Sequence, residues 1–231
     1  MPALWDERHQ RLADGTILVA RFTNRLLGDL HVDAAPDQLE VRRRRVCAQQ
    51  WSVGRQVHGT ALVTVDRPGA GSGVEADGFV SEAIDAPCAV NVADCAPVLI
   101  WNDDSRFAVV HAGWRGLQAG ILARAAEHLR SEGAEVIGAM LGPCIDPGHY
   151  AFGPDLLGEL AAAFGPTVRA ETNDGAPALD LAAAVTAALG QVGVTAVERV
   201  GGSTADASRY FSHRVRGESG RQALVAWKER R

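Results

Sequence analysis

Three side chains in this sequence have the types and surroundings of a metal centre. His58 stands in Gln56-Val57-His58-Gly59, Cys95 in Ala93-Asp94-Cys95, and His111 at the head of His111-Ala112-Gly113-Trp114-Arg115-Gly116. Two imidazoles and one thiolate match the borderline-soft preference of Zn²⁺, and three protein ligands leave a fourth tetrahedral position for water or substrate. A catalytic zinc needs that open position, because the metal polarises what binds there and lowers the pKa of a water toward about 7. The spacing alone is no compact finger pattern. It leaves the ordinary readings open: a loop histidine, a small buried cysteine and a strand-end histidine bonded to backbone.

The neighbours of these residues suggest roles. Asp94 can bond the far nitrogen of a ligating histidine, bind a substrate amine, move a proton as a base, or cap a turn. Cys95 and His111 can instead form a thiolate–imidazolium pair oriented by Asp94 or Asn91, which is the arrangement of a cysteine hydrolase. Arg115 and Arg214 are candidates for gripping phosphate in bidentate fashion, and Arg115 just precedes a predicted helix whose amides can assist. Their commoner use is a surface ion pair. The run Arg42-Arg43-Arg44-Arg45 is either a docking patch or a solvated face with local ion pairs.

Taken together, Gln56 to Gly59, Ala93 to Leu99 (ADCAPVL), His111 to Gly116 (HAGWRG) and Leu141-Gly142-Pro143 resemble the signature segments of the laccase-domain, or YfiH-like polyphenol oxidase, family. The likeness runs from Phe22-Thr23-Asn24-Arg25 to Ser219-Gly220-Arg221-Gln222. Members of that family are regarded as purine nucleoside phosphorylases with adenosine deaminase activity. The resemblance implies zinc on His58, Cys95 and His111, with Asp94 beside them in the catalytic set. Arg115, Arg214 and Asn91 then fall to phosphate and substrate. The implied partners are phosphate and purine nucleosides such as inosine, guanosine, adenosine and methylthioadenosine. The chain departs from the family pattern at Leu26-Leu27-Gly28-Asp29, at Cys144 and Gly148-His149-Tyr150, at Gly202-Ser203-Thr204, and at His213-Arg214. These changes put substrate preference and the roles of Cys144 and His149 in question. The oxidase name implies copper. A blue-copper site takes two histidines, a cysteine and a weak axial ligand, often Met. One such site is conceivable at His58, Cys95 and His111. A multicopper relay is not, because the chain has 7 histidines in all and its two methionines are Met1 and Met140.

These residues need a scaffold that brings strand ends together. Strands are expected at Ile17–Thr23, at one or two places in Trp51–Asp66 around Gly59, at Phe79-Val80, Cys88–Val92, Val98–Trp101, Arg106–His111, Val136–Leu141, Ala196–Val200 and Gln222–Trp227. Asn24 to Pro36 reads as a loop and Asp37 to Cys47 as a short helix. Leu117, Ile121, Leu122, Ala125 and Leu129 repeat at helical spacing and predict one continuous helix. Asp155–Phe164 follows Pro154 as first helical residue, and Asp180 caps a third helix through Leu189. Strands and helices without strict βαβ alternation predict an α+β fold, with mixed sheets packed against helices. The whole chain, 1–231, is expected to form one YfiH-like domain, since the single weak seam, near Glu132-Gly133, does not justify a cut.

Composition sets the outer bounds. The 231 residues are 47% hydrophobic and 22% charged, which suits a globular chain that needs no disulfide or structural metal to fold. A formal net charge of -5 argues against nucleic acid as the main partner. Cys47, Cys88, Cys95 and Cys144 form no CxxC pair, and Met1 to Gln10 is polar. No stretch of about 18 apolar residues suggests a membrane span. A reducing cytoplasm is the expected location. The sequence does not fix the oligomeric state.

Overall fold

The computed structural model describes residues 2–130 and 133–230. The seam near Glu132 therefore falls partly outside the described residues. Two large sheets dominate. The first contains β1 (Trp5–Arg11), β2 (Ile17–Thr23), β3 (Ser52–Val53), β6 (Cys88–Val92) and β13 (Gln222–Glu229), in the order β1-β2-β13-β6-β3. The second contains β4 (Leu62–Val65), β5 (Gly78–Ser81), β7 (Ala96–Asn102), β8 (Phe107–Ala112), β9 (Val136–Leu141) and β12 (Val197–Arg199), in the order β12-β9-β7-β8-β5-β4. Parallel and antiparallel pairs occur in both sheets. The expected α+β fold with mixed sheets is what the chain forms.

The period of the strands explains the layering. Along β2, Leu18, Ala20 and Phe22 enter the core shared by the two sheets, while Ile17 and Val19 face the opposite side. In β7, Leu99 and Trp101 enter that shared core, while Ala96, Val98 and Ile100 face the helices. Side chains alternate across a strand, so a central strand covered on both faces must be apolar throughout. β7 and β8 are buried along their whole length. The outer face of the second sheet is covered by α2 (Trp114–Gln118), α3 (Ile121–Leu129), α4 (Pro154–Phe164) and α5 (Leu181–Gln191), and α1 (Pro36–Val46) lies with the core outside the first.

Several elements differ from the sequence reading. The single helix expected over Leu117–Leu129 is two, because Gly120 takes the left-handed conformation at φ 86° and breaks the ladder between α2 and α3. The spacing survives the break because both pieces present apolar residues to the same core. The edge strand β1 is mostly polar (WDERHQR) and carries no apolar run to betray it, yet it pairs along its full length with β2. The short hairpin of β10 (Arg169–Glu171) and β11 (Pro177–Leu179) is likewise invisible to periodicity. Asp180 caps α5 as expected, accepting from the Ala183 amide at 2.9 Å.

Candidate metal centre

The sheets meet where the chemistry-bearing segments lie. The turn Ala93-Asp94-Cys95 carries the chain from β6, in the first sheet, to β7, in the second. His111 is near the end of β8 and pairs across from Pro97 of β7. His58 sits in the loop between β3 and β4. One ligand atom from each of His58, Cys95 and His111 lies within 4.8 Å of the others. The Cys95 Sγ to His58 Nε2 distance is 3.7 Å, close to the edge of about 3.5 Å that tetrahedral bonds of roughly 2.0–2.3 Å require. The imidazoles meet edge to face with centroids 4.9 Å apart. A Cβ built on Gly113 would stand 2.8 Å from His58 Cδ2 and 3.0 Å from Cys95 Sγ, so the ligands converge over a position only glycine can occupy. Donor chemistry and spacing together fit zinc.

The electrostatics favour the ligand form of the thiol. Burial alone raises the Cys95 pKa, but the charge and hydrogen bonding of His111 and His58 overcome it and bring it down to about 6. His111 moves the other way. Burial disfavours its charge, yet the Cys95 thiolate and the Asp77 carboxylate lift it to about 9. By contrast Cys144 is buried among apolar groups and pushed up to about 12, which leaves it an inert thiol.

The sequence reading missed Asp77. It is fully buried, and it takes the far nitrogen of His111 at 2.8 Å, the bond envisaged for Asp94. The only sequence cue was an acidic residue directly before the buried strand β5. Asp94 is engaged otherwise. Its Oδ1 accepts from Thr204 and Ser212 hydroxyls, each at 2.6 Å, and its Oδ2 from the Arg214 amide at 2.6 Å. Its backbone has φ 95°, a left-handed conformation that aspartate tolerates better than most residues. Asp94 thus ties the Cys95 turn to α6 (His213–Arg216), the short helix that carries Arg214.

A cavity of about 520 Å³ opens at this centre and is lined by His58, Cys95 and His111 together with Asn91, Asp94, Arg115 and Arg214. Every residue singled out for the site in the sequence therefore reaches one cavity. The Arg115 guanidinium lies 4.4 Å from the Trp114 ring centroid and that of Arg214 5.0 Å from Tyr150. Arg214 also meets the Ala151 carbonyl at 3.3 Å. Both arginines are exposed, and among the described residues neither is paired with a carboxylate, unlike Arg8, Arg25, Arg44 and Arg67. Asn91 is clamped by Gln56, whose side chain makes 2.7 Å bonds to both its backbone amide and its carbonyl, while the Asn91 side-chain amide has no partner among the described residues. Tyr150, also in the lining, was not anticipated as part of the site. His149 is turned to Asp146, at 2.9 Å, and stays outside the lining. The arginine run is spread over local contacts: Arg42 on the Asp29 carbonyl, Arg43 over Trp51 and Arg44 on Glu40.

An α+β scaffold whose two sheets gather one cysteine and two histidines at a cavity defines a class of protein with a three-residue group able to hold a metal ion. Residues 21–229 match the family described as multi-copper polyphenol oxidoreductase laccase, and the chain belongs to that family. It is 34% identical to a Mycobacterium bovis protein named purine nucleoside phosphorylase, over 93% of this chain and 89% of that one. A Pseudomonas aeruginosa protein of the same name is 33% identical over 92% of this chain and 89% of its own length. The fold is that of a Neisseria meningitidis protein of the DUF152 family, with a TM-score of 0.83 at 24% identity over 99% and 100% of the two chains. Bacillus licheniformis YfiH superposes with a TM-score of 0.80 at 22% identity, over 91% and 92%.

Proposed function

We propose that this protein is a zinc-dependent purine nucleoside phosphorylase that also deaminates adenosine. His58, Cys95 and His111 hold the metal, and Arg115 and Arg214 hold phosphate. The relatives named purine nucleoside phosphorylase supply the substrate class. One observation carries the reading to this chain's own residues: two guanidinium groups without a carboxylate partner share one cavity with an open three-ligand site. A phosphate entering there is met by two solvent-exposed guanidinium groups oriented over aromatic faces. When bound, zinc supplies a Lewis acid that acidifies water, the chemistry deamination needs. Asp94 was expected to move a proton to departing ammonia. Its three short hydrogen bonds favour a positioning role instead, holding Arg214 against the cavity. The core continuous with both sheets supports treating residues 1–231 as one domain. The proposed location is the cytoplasm.

Inosine incubated with phosphate should yield hypoxanthine and ribose 1-phosphate, and adenosine without phosphate should yield inosine and ammonia. Chromatography of both mixtures, with and without phosphate, checks this. Base release that continues without phosphate would mean a hydrolytic nucleosidase. Arg115→Ala or Arg214→Ala should raise the KM for phosphate about tenfold or more, as expected for a charge-assisted contact worth roughly 1.5–3 kcal/mol, and leave deamination less affected.

A second reading rests on the low pKa of Cys95 beside a raised His111: without metal the pair is a thiolate–imidazolium couple fit for a cysteine hydrolase. Zinc and the nucleophile role compete for the same sulfur. Turnover by metal-free protein that is lost on stoichiometric alkylation of Cys95 would establish it. The copper oxidase reading has less support, because Met140 lies in the core between the sheets and not in the cavity lining.

A further inference from the structure

The metal centre depends on a residue that neither ligates nor lines the cavity. We infer that Asp77 is the positioning residue of the site: one buried carboxylate sets both the ring orientation of His111 and the backbone conformation that presents His58. The inference rests on the metal reading above.

Asp77 is fully buried and accepts four hydrogen bonds. Its Oδ1 takes His111 Nδ1 at 2.8 Å and the His58 amide at 2.9 Å, and its Oδ2 takes the amides of Gly59 at 2.8 Å and Val57 at 3.2 Å. Its backbone holds the same two segments, since the His111 amide donates to the Asp77 carbonyl at 2.7 Å and the Asp77 amide donates to the Ala61 carbonyl at 3.0 Å.

Two consequences follow from carboxylate chemistry. A carboxylate only accepts, so the proton of a neutral His111 is held on Nδ1 and the lone pair of Nε2 is left for the metal. His58 also has φ 60°, a left-handed conformation uncommon for a residue with a Cβ. Three successive amides converging on one anion hold the loop in that conformation. Burying an anion is costly unless donors surround it, and here four donors do so. The two histidines come from separate segments of the chain and are registered to each other through this one side chain.

Asp77→Asn separates orientation from packing. Asparagine keeps the shape but offers one acceptor oxygen, and its amide can donate to His111 Nδ1, which moves the ring proton to Nε2 where it blocks ligation. Well above pH 9, where a His111 lifted to about 9 has lost its second proton, metal-free Asp77→Asn protein should show an Nε2–H tautomer for His111 in nitrogen-15 NMR, against Nδ1–H in wild type. Its zinc affinity, measured by competition with a chromophoric chelator, should fall about tenfold or more, in the range that removal of such a partner produces. A merely structural role would lower thermal stability without moving the tautomer. Zinc affinity and tautomer both matching wild type would overturn the inference. So would an Nε2–H tautomer in the wild-type protein, a measurement that needs no variant to fold. Wild-type protein that binds no zinc at all would overturn the metal reading itself, whereas equal zinc binding by wild type and variant would remove only the role of Asp77.

Discussion

At the scale of single residues, the site is shaped as much by a missing atom as by its ligands. Gly113 has φ −78° and ψ 161°, a backbone conformation any residue adopts, so its identity is dictated by space alone. Gly113→Ala places a methyl against His58 Cδ2 and Cys95 Sγ. The variant should therefore fold normally yet lose most of its zinc, because the added carbon pushes two ligands apart. Metal analysis beside a thermal unfolding curve of the metal-free protein checks this, and full zinc content would show that the ligands can give way. The left-handed backbones of His58 and Asp94 belong to the same theme. Each departs from ordinary geometry where a side chain must be aimed, and in each case hydrogen bonds to a carboxylate hold the neighbouring chain.

At the scale of elements, the break between α2 and α3 turns the chain just after the segment that carries Arg115. Gly120 makes the turn at φ 86°, and a Cβ there would meet nothing within 4 Å. Gly120→Ala is thus penalised only by its backbone, and the loss should be about 1–2 kcal/mol in urea denaturation. A loss well above that would mean the helix pair must repack to accommodate the change. A neutral result would mean that α2 and α3 can join into the continuous helix their spacing suggests. The β6–β7 corner is the other decisive element. A turn that changes sheets brings Cys95 to the boundary between two cores, beside the ends of strands from both.

At the scale of the whole molecule, a buried ammonium joins β13 to the β1–β2 turn. Lys228 is 4% exposed at its side chain and meets Asp14 at 2.7 Å. Burial raises the Asp14 pKa, but bonds from Lys228 and Thr16 outweigh it and hold the carboxyl down at about 2. A depressed carboxylate stabilises the fold above its ordinary value of 3.8, and that contribution is lost as pH falls through about 2. Asp14 is 40% exposed, so solvent screens much of the attraction. Asp14→Asn should flatten the stability profile between pH 4 and about 2, and should cost on the order of 1–3 kcal/mol at neutral pH, because it leaves the lysine buried against a neutral group. Denaturation midpoints across that window measure both effects. An unchanged acid limb would show that other carboxylates govern acid unfolding.

The sequence by itself determined the candidate ligand types, the central strands and the capped helices. Thiolate and imidazole chemistry is a property of the residue, β7 and β8 are apolar enough to read as buried strands, and Pro154 and Asp180 mark helix starts locally. Motif resemblance added which segments belong together. Tertiary structure decided what those segments touch. Asp77 takes the histidine that adjacency in sequence had suggested for Asp94, because a strand start and a strand end lie side by side across the β5–β8 pair although they are far apart along the chain. The polar edge strand β1 exists because β2 offers it hydrogen bonds, and no hydrophobic pattern records that offer. Gly120 could be read only in place, since its helical spacing continues through the break. Local propensity and side-chain type are written residue by residue, but hydrogen-bond partners and cavity walls depend on which distant segments the folded sheets bring within a few ångströms.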